Sequence, residues 1–150
     1  MKAIVRERYG PPDVLELREV DKPVVEDDQV LVRVHATSVN PVDWHTMTGT
    51  PYMVHLMVGL LKPKTEFLGV DFAGTVEAVG RDVKQFQPGD EVFGARDGAF
   101  ADYVCVREER AVVQKPANVT FEQAGAVAVA AISALQVSAT KGRFGQGKRF

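Results

Sequence analysis

The segment from Gly69 to Gly94, GVDFAGTVEAVGRDVKQFQPGDEVFG, limits what this chain can fold into more than any other feature. Its glycines recur at strand ends and turns, with Val83, Phe86 and Val92 as apolar anchors between them. Glycine is needed where φ turns positive or where another strand passes closely, so the segment specifies a tightly wound β structure. The same grammar runs through the rest of the first two thirds. Lys2 to Arg8 and Val14 to Val20 read as two short strands of a hairpin, split by the turn-forming Gly10-Pro11-Pro12-Asp13. From Gln29 to Asn40, Val30, Val32, Val34, Ala36 and Ser38 alternate with Leu31, Arg33, His35 and Thr37, the pattern of a long strand with one face buried and one partly wet. Phe72 to Gly80 repeats it. Gln87-Pro88-Gly89-Asp90 turns the chain before Glu91 to Phe93, and Arg96-Asp97-Gly98 turns it again before Ala101 to Arg107 and Arg110 to Gln114. Roughly six or seven short strands at this spacing point to a barrel-like β domain.

After Lys115-Pro116 the alphabet changes. Thr120-Phe121-Glu122-Gln123 has the form of a capping box, and Phe121, Ala124, Val127, Ala128, Ala131 and Leu135 keep helical spacing, which predicts one or two helices ending near Ala139. Tyr52 to Phe67, with Met53, Met57, Leu60 and Leu61, reads either as a short helix or as a lid over an apolar pocket. The expected class is mainly β with C-terminal helices, an α+β arrangement.

Charge and cysteine count narrow the function. Eighteen Lys+Arg against 20 Asp+Glu leave a net charge of −2 with no basic run, so a nucleic-acid partner is not expected. The longest apolar stretch, Ala124 to Leu135, falls well below the ~20 residues that span a bilayer, and it includes Gly125 and Ser133. Charges at Lys2, Arg6 and Glu7 break up any secretory signal, which makes a cytoplasmic location the expectation. A single cysteine, Cys105, excludes an internal disulfide and a zinc site built on several thiolates. It reads as a buried thiol in a strand rather than a nucleophile. His35, His45 and His55 sit ten residues apart, a spacing that puts no two ligands on one helical face, so surface or packing roles are expected.

Taken together, MKAIVRERYGPPDVLELREV at the start, SVNPVDW at Ser38 to Trp44, the Gly69 to Gly94 segment and AISALQ at Ala131 to Gln136 make the chain resemble the medium-chain dehydrogenase/reductase superfamily, in particular its zinc-free quinone oxidoreductase branch. The resemblance implies a GroES-like catalytic domain, a partly open β barrel with C-terminal helices, over residues 1–140. Residues 141–150 would then be an interdomain linker or the start of a Rossmann domain that this chain lacks. Gly142-Arg143-Phe144-Gly145-Gln146-Gly147 belongs to that linker, since its order is G-x-x-G-x-G and not the dinucleotide fingerprint.

The same resemblance implies NADP as cofactor, hydride transfer to a quinone or activated alkene, and little activity for this chain without its nucleotide platform. An alcohol dehydrogenase-like enzyme and a non-catalytic GroES-like binding or oligomerisation module are the alternatives. Zinc-using cousins carry a cysteine in the Asn40-Pro41 region and a histidine where this chain has Val70, so no metal is expected. Asn40 is the expected catalytic and cofactor-binding amide, and Asp43 and Trp44 are its expected cofactor-side neighbours. Asn40 also fits a turn or helix cap, and Asp43 fits a first-turn dipole role. Tyr52 reads as a second catalytic group covering the nicotinamide or substrate, or as an exposed loop aromatic. Ser133 reads as a cofactor-side hydroxyl at the start of a helix, or as a helix-interior serine bonded to its own backbone. A small-molecule substrate is the expected partner, and self-association stays open.

Overall fold

The computed structural model describes residues 1–144. In chain order the elements are β1 (Lys2–Val5), a 3-10 turn (Pro12–Val14), β2 (Glu16–Glu19), β3 (Gln29–Thr37), α1 (Pro41–Thr48), α2 (Val54–Val58), β4 (Asp71–Val79), β5 (Glu91–Ala95), β6 (Tyr103–Arg107), β7 (Val112–Gln114), α3 (Phe121–Gly125) and α4 (Ala128–Phe144). β1 and β2 form an antiparallel pair, Lys2 opposite Glu19 and Val5 opposite Glu16. The other five strands form one antiparallel sheet in the order β6-β3-β4-β5-β7. Its two edges, β6 and β7, follow one another in the chain without pairing, so the sheet curls into a half-barrel that stays open between them.

The expected strands are present, with ends set by tertiary contacts. β1 stops at Val5 because the Arg6 N–H turns to the Glu66 carbonyl and the Arg6 side chain goes inside, 2% exposed. Val14 belongs to the 3-10 turn, not to a strand. The prolines at 11 and 12 fix φ there, and Val14 packs instead with Met47 and Leu68 in a small second core. In β3 the alternation holds where it faces the main core, Val30 and Val32 being fully buried, while Leu31 on the opposite face is buried too. The main core joins these two to Phe72, Val76, Val92, Val104, Val106 and Val112.

Gly74 shows why the central strands need glycine. A Cβ there would lie 2.0 Å from the Arg33 carbonyl oxygen on β3, beside the register shift between Val34 and Ala36. That irregularity passes over His35 and brings Thr37 opposite Phe72, which sets the end of β3 beside Asp71.

The segment after Tyr52 folds as the short helix α2, preceded by a cis Thr50-Pro51 bond. The capping box forms as expected: Thr120 Oγ1 accepts the Gln123 N–H (3.2 Å) and Gln123 Oε1 accepts the Thr120 N–H (3.0 Å). It starts only α3, however. A second helix, α4, begins at Ala128 and runs to Phe144, past the expected end near Ala139. Residues 141–144 of the expected linker are therefore helical, and Gly145, Gln146 and Gly147 lie outside the described residues.

Candidate active site

The centre of the site is a carboxylate. Asp71 opens β4, is fully buried, and its carboxylate accepts three hydrogen bonds from two separate parts of the chain. Ser38 Oγ–H and Asn40 Nδ2–H donate to Oδ2 at 3.0 and 3.2 Å, and the Val129 N–H donates to Oδ1 at 3.0 Å. The last bond caps the first turn of α4 from 58 positions away in sequence, and a negative group at a helix N-terminus also meets the favourable end of the helix dipole. Close packing makes this reach possible. Gly125 of α3 sits against β3, where a Cβ would stand 3.0 Å from the Ala36 carbonyl oxygen.

Asn40 is held by the same carboxylate. Its Nδ2 lies 3.2 Å from both Ser38 Oγ and Asp71 Oδ2, which are 3.0 Å from each other. The three atoms make a nearly equilateral triangle, so both acceptors lie on one side of Nδ2 and a single N–H serves them. The carboxylate also decides which end of the amide faces it, since an amide oxygen there would be repelled. Among the described residues the second Asn40 N–H has no acceptor. The result is a neutral donor, half-buried and fixed in orientation, at the point where β3 gives way to α1.

α1 starts here because Asn40 is extended (φ −115°, ψ 160°) and Pro41 is preorganised for the first helical position. Asp43, 5% exposed, reaches back so that its Oδ2 accepts the Asn40 N–H at 2.7 Å, as in a capping box. Burial pushes the Asp43 carboxyl above the ordinary carboxylate range; the Asn40 N–H offsets this in part, and Asp71 adds a further upward push. Arg6 anchors the helix from the opposite side, donating from Nη1 to the Thr46 carbonyl. Burial lowers the pKa of its guanidinium.

The other expected residues divide. Trp44 is on α1 with half of its surface exposed. Tyr52 lies ahead of α2, 74% exposed, its ring stacked at 4.7 Å on His55, which in turn meets Tyr9 at 4.2 Å. Ser133 is exposed and lies inside α4, five residues beyond its first residue rather than at a helix start, because α3 and α4 are separate helices. The histidines point to three different places: His35 to Thr75 Oγ1 (3.0 Å) and the Phe121 ring, His45 to the Thr50 carbonyl, and His55 to the Leu60 carbonyl (3.0 Å). Among the described residues no three His, Cys, Asp or Glu side chains are grouped to hold a metal. Cys105 is partly buried on β6, and burial pushes its thiol up.

Sequence reasoning missed Asp71 and Arg6 as site residues. Both had a signal: each is a charged residue beside a run that is otherwise apolar, GVDFAG for one and AIVR for the other.

A curled, open, antiparallel half-barrel with an amide held at the end of its long strand defines a recognisable class. Residues 26–117 match the Alcohol dehydrogenase GroES-like domain family. The chain belongs to that family, within the medium-chain dehydrogenase/reductase superfamily. It is similar to a quinone oxidoreductase of Sus scrofa, 39% identical over 132 residues, which covers 86% of this chain and 38% of that protein. An NADPH-dependent alkenal/one oxidoreductase of Arabidopsis thaliana is 35% identical over 141 residues, covering 87% of this chain and 35% of that one. Among solved structures, the quinone oxidoreductase from Coxiella burnetii superposes with a TM-score of 0.83 at 34% identity, covering 93% of this chain and 44% of that chain. The chain thus spans little more than a third of the length of the relatives it matches. Among the described residues no helix is long and apolar enough to cross a membrane.

Proposed function

We infer that this chain forms the acceptor-side half of an NADP-dependent oxidoreductase that passes hydride to a quinone or an activated alkene. The observation that carries the reading is the fixed Asn40 amide, whose free N–H is positioned by Asp71 and Ser38. The relatives named above support the reaction class. NADP, when bound, supplies the hydride from its reduced nicotinamide ring.

The residues present suit such a group. A neutral N–H donor that needs no reorganisation complements the carbonyl oxygen of a carboxamide or of an acceptor, and preorganised donors of this kind stabilise negative charge that develops on oxygen. Trp44 offers an exposed apolar face beside it on α1. Asp43, closed onto the Asn40 backbone, acts as a positioning residue for that end of the helix. Tyr52 is the second candidate donor, and Ser133 the candidate hydroxyl on α4. Val70 has no lone pair to offer a metal, which leaves positioning and hydrogen bonding to do the work.

The test joins this chain to the nucleotide-binding half of a quinone oxidoreductase and follows NADPH oxidation by absorbance with p-benzoquinone and with 1-octen-3-one. Turnover of one or both is expected, with Asn40→Ala lowering kcat/KM by about a hundredfold, the scale of losing one preorganised donor. Tyr52→Phe measures the share of the phenol. NADPH binding without oxidation by either acceptor would refute the reading and favour a non-catalytic module.

A further inference from the structure

Where the half-barrel stays open between β6 and β7, an exposed groove of about 630 Å³ carries three arginines: Arg96 after β5, Arg107 at the end of β6, and Arg110 in the turn before β7. That volume is in the range that takes a small molecule. Arg107 is compensated, with Nε 3.2 Å from Asp28 and Nη2 4.0 Å from Glu26. Arg96 and Arg110 are not: among the described residues neither has a carboxylate within ion-pair distance. The fold nevertheless brings the two together. The Ala95 N–H donates to the Ala111 carbonyl at 2.9 Å, and a Cβ at Gly94 would lie 2.0 Å from that same oxygen, so the two segments run in close contact. One residue beyond this bond stand Arg96 on one segment and Arg110 on the other, like charges at a place where like charges repel. Arg96 is also held in position. Its Nε–H donates to the Cys105 carbonyl of β6 at 3.3 Å, so the side chain spans the opening, and its Nη groups have no acceptor among the described residues.

Two uncompensated guanidiniums side by side are complemented by one dianion, and their planar forks match the oxygens of a phosphate. We propose that this groove binds a phosphate monoester, its phosphoryl oxygens between Arg96 and Arg110 and its organic body along Val70, Ala95 and Ala111. A phosphate monoester carries close to two negative charges at neutral pH. A sulfonate or a carboxylate brings only one and leaves the repulsion half relieved. Two acids share the groove wall. Glu26 lies with Arg107 and accepts from Gln29 Nε2 at 2.7 Å, whereas Asp97 makes no ion pair and opposes the anion. The site makes no use of hydride transfer, so it does not rest on the oxidoreductase reading.

The experiment titrates the full ¹³C,¹⁵N-labelled chain with phenyl phosphate at neutral pH and physiological ionic strength and follows the arginine Cζ resonances. The expected result is saturable binding in the millimolar range that shifts Arg96 and Arg110 and leaves the distant Arg18 and Arg81 unmoved. Benzenesulfonate, similar in shape but a monoanion, is expected to bind at least about fivefold more weakly. Arg110→Gln is expected to weaken phenyl phosphate about tenfold, the scale of losing one charge-assisted hydrogen bond. Asp97→Asn removes the opposing charge and is expected to tighten binding about threefold, about half the weight of such a bond. Arg110→Glu sets an acid beside Arg96; it is expected to abolish binding and to raise the urea midpoint, because opposite charges then replace like ones, and a loss of binding in a more stable protein is not a failure to fold. Equal binding of benzenesulfonate, shifts spread evenly over all surface arginines, or binding retained by Arg110→Glu would overturn the proposal and leave an adventitious ion only.

Discussion

Replacing Asp71 with asparagine keeps the volume of a fully buried side chain and alters only what its two end atoms can do. The carboxylate accepts at both ends, from Ser38 and Asn40 on Oδ2 and from the Val129 N–H on Oδ1. Asparagine has one accepting end and one donating end. With its oxygen toward Ser38 and Asn40, its NH2 faces the Val129 N–H, donor against donor. With the amide reversed, Val129 is satisfied, but Asn40 must flip and its free N–H is lost from the site. In either arrangement at least one hydrogen bond to a charged group goes, worth about 1.5–3 kcal/mol. The expected loss for Asp71→Asn is therefore about 2–3 kcal/mol, a large share of an ordinary domain's 5–15 kcal/mol, roughly. Asp71→Ala removes all three bonds and leaves a cavity, so it is expected to cost about 4 kcal/mol or more. Urea denaturation measures both. Amide exchange locates the first: Val129 is to lose protection by at least about tenfold, while core amides such as Val32 slow or quicken only with global stability. An Asp71→Asn protein within about 0.5 kcal/mol of wild type, with Val129 exchange unchanged, would refute the claim that this carboxylate joins β4, the Ser38–Asn40 turn and α4.

Three further outcomes follow from particular contacts. Asp43 has a folded pKa raised by burial, so its contribution favours folding below the ordinary aspartate value of about 4 and is lost as pH rises through the folded value. Asp43→Asn removes that titration. Across this rise the stability of the variant relative to wild type should climb by about 1.4 kcal/mol for each pH unit separating folded and unfolded pKa values, then level off, as read from denaturation at stepped pH. Gly74→Ala puts a methyl against the Arg33 carbonyl and is expected to cost about 3 kcal/mol by forcing β3 and β4 apart. Thr120→Ala removes the α3 cap bond to Gln123 and is expected to cost about 1 kcal/mol, measured by the same denaturation.

Much of the fold was legible because its signals are local. Period-two alternation marked β3 and β4, turn chemistry at Gln87–Asp90 and Arg96–Gly98 marked where strands end, and Thr120 with Gln123 marked a helix start. Asn40 was legible for a similar reason, standing where a strand pattern meets a proline. The site around it was not. Val129 needs a cap that no neighbouring residue supplies, and the group that supplies it is fixed only once β4 lies beside the end of β3.

The amino-acid order by itself determined the class of the fold, the positions of its turns, the family and the amide at the end of β3, because each of these depends on residues within a few positions of one another. Tertiary structure alone decided that Asp71 orients that amide, that α3 and α4 are separate helices with Ser133 inside the second, and that Arg96 and Arg110 line one groove. The first of these depends on register between β3 and β4 and on the close approach allowed by Gly74 and Gly125. Register is a property of paired strands, and no single strand's sequence contains it.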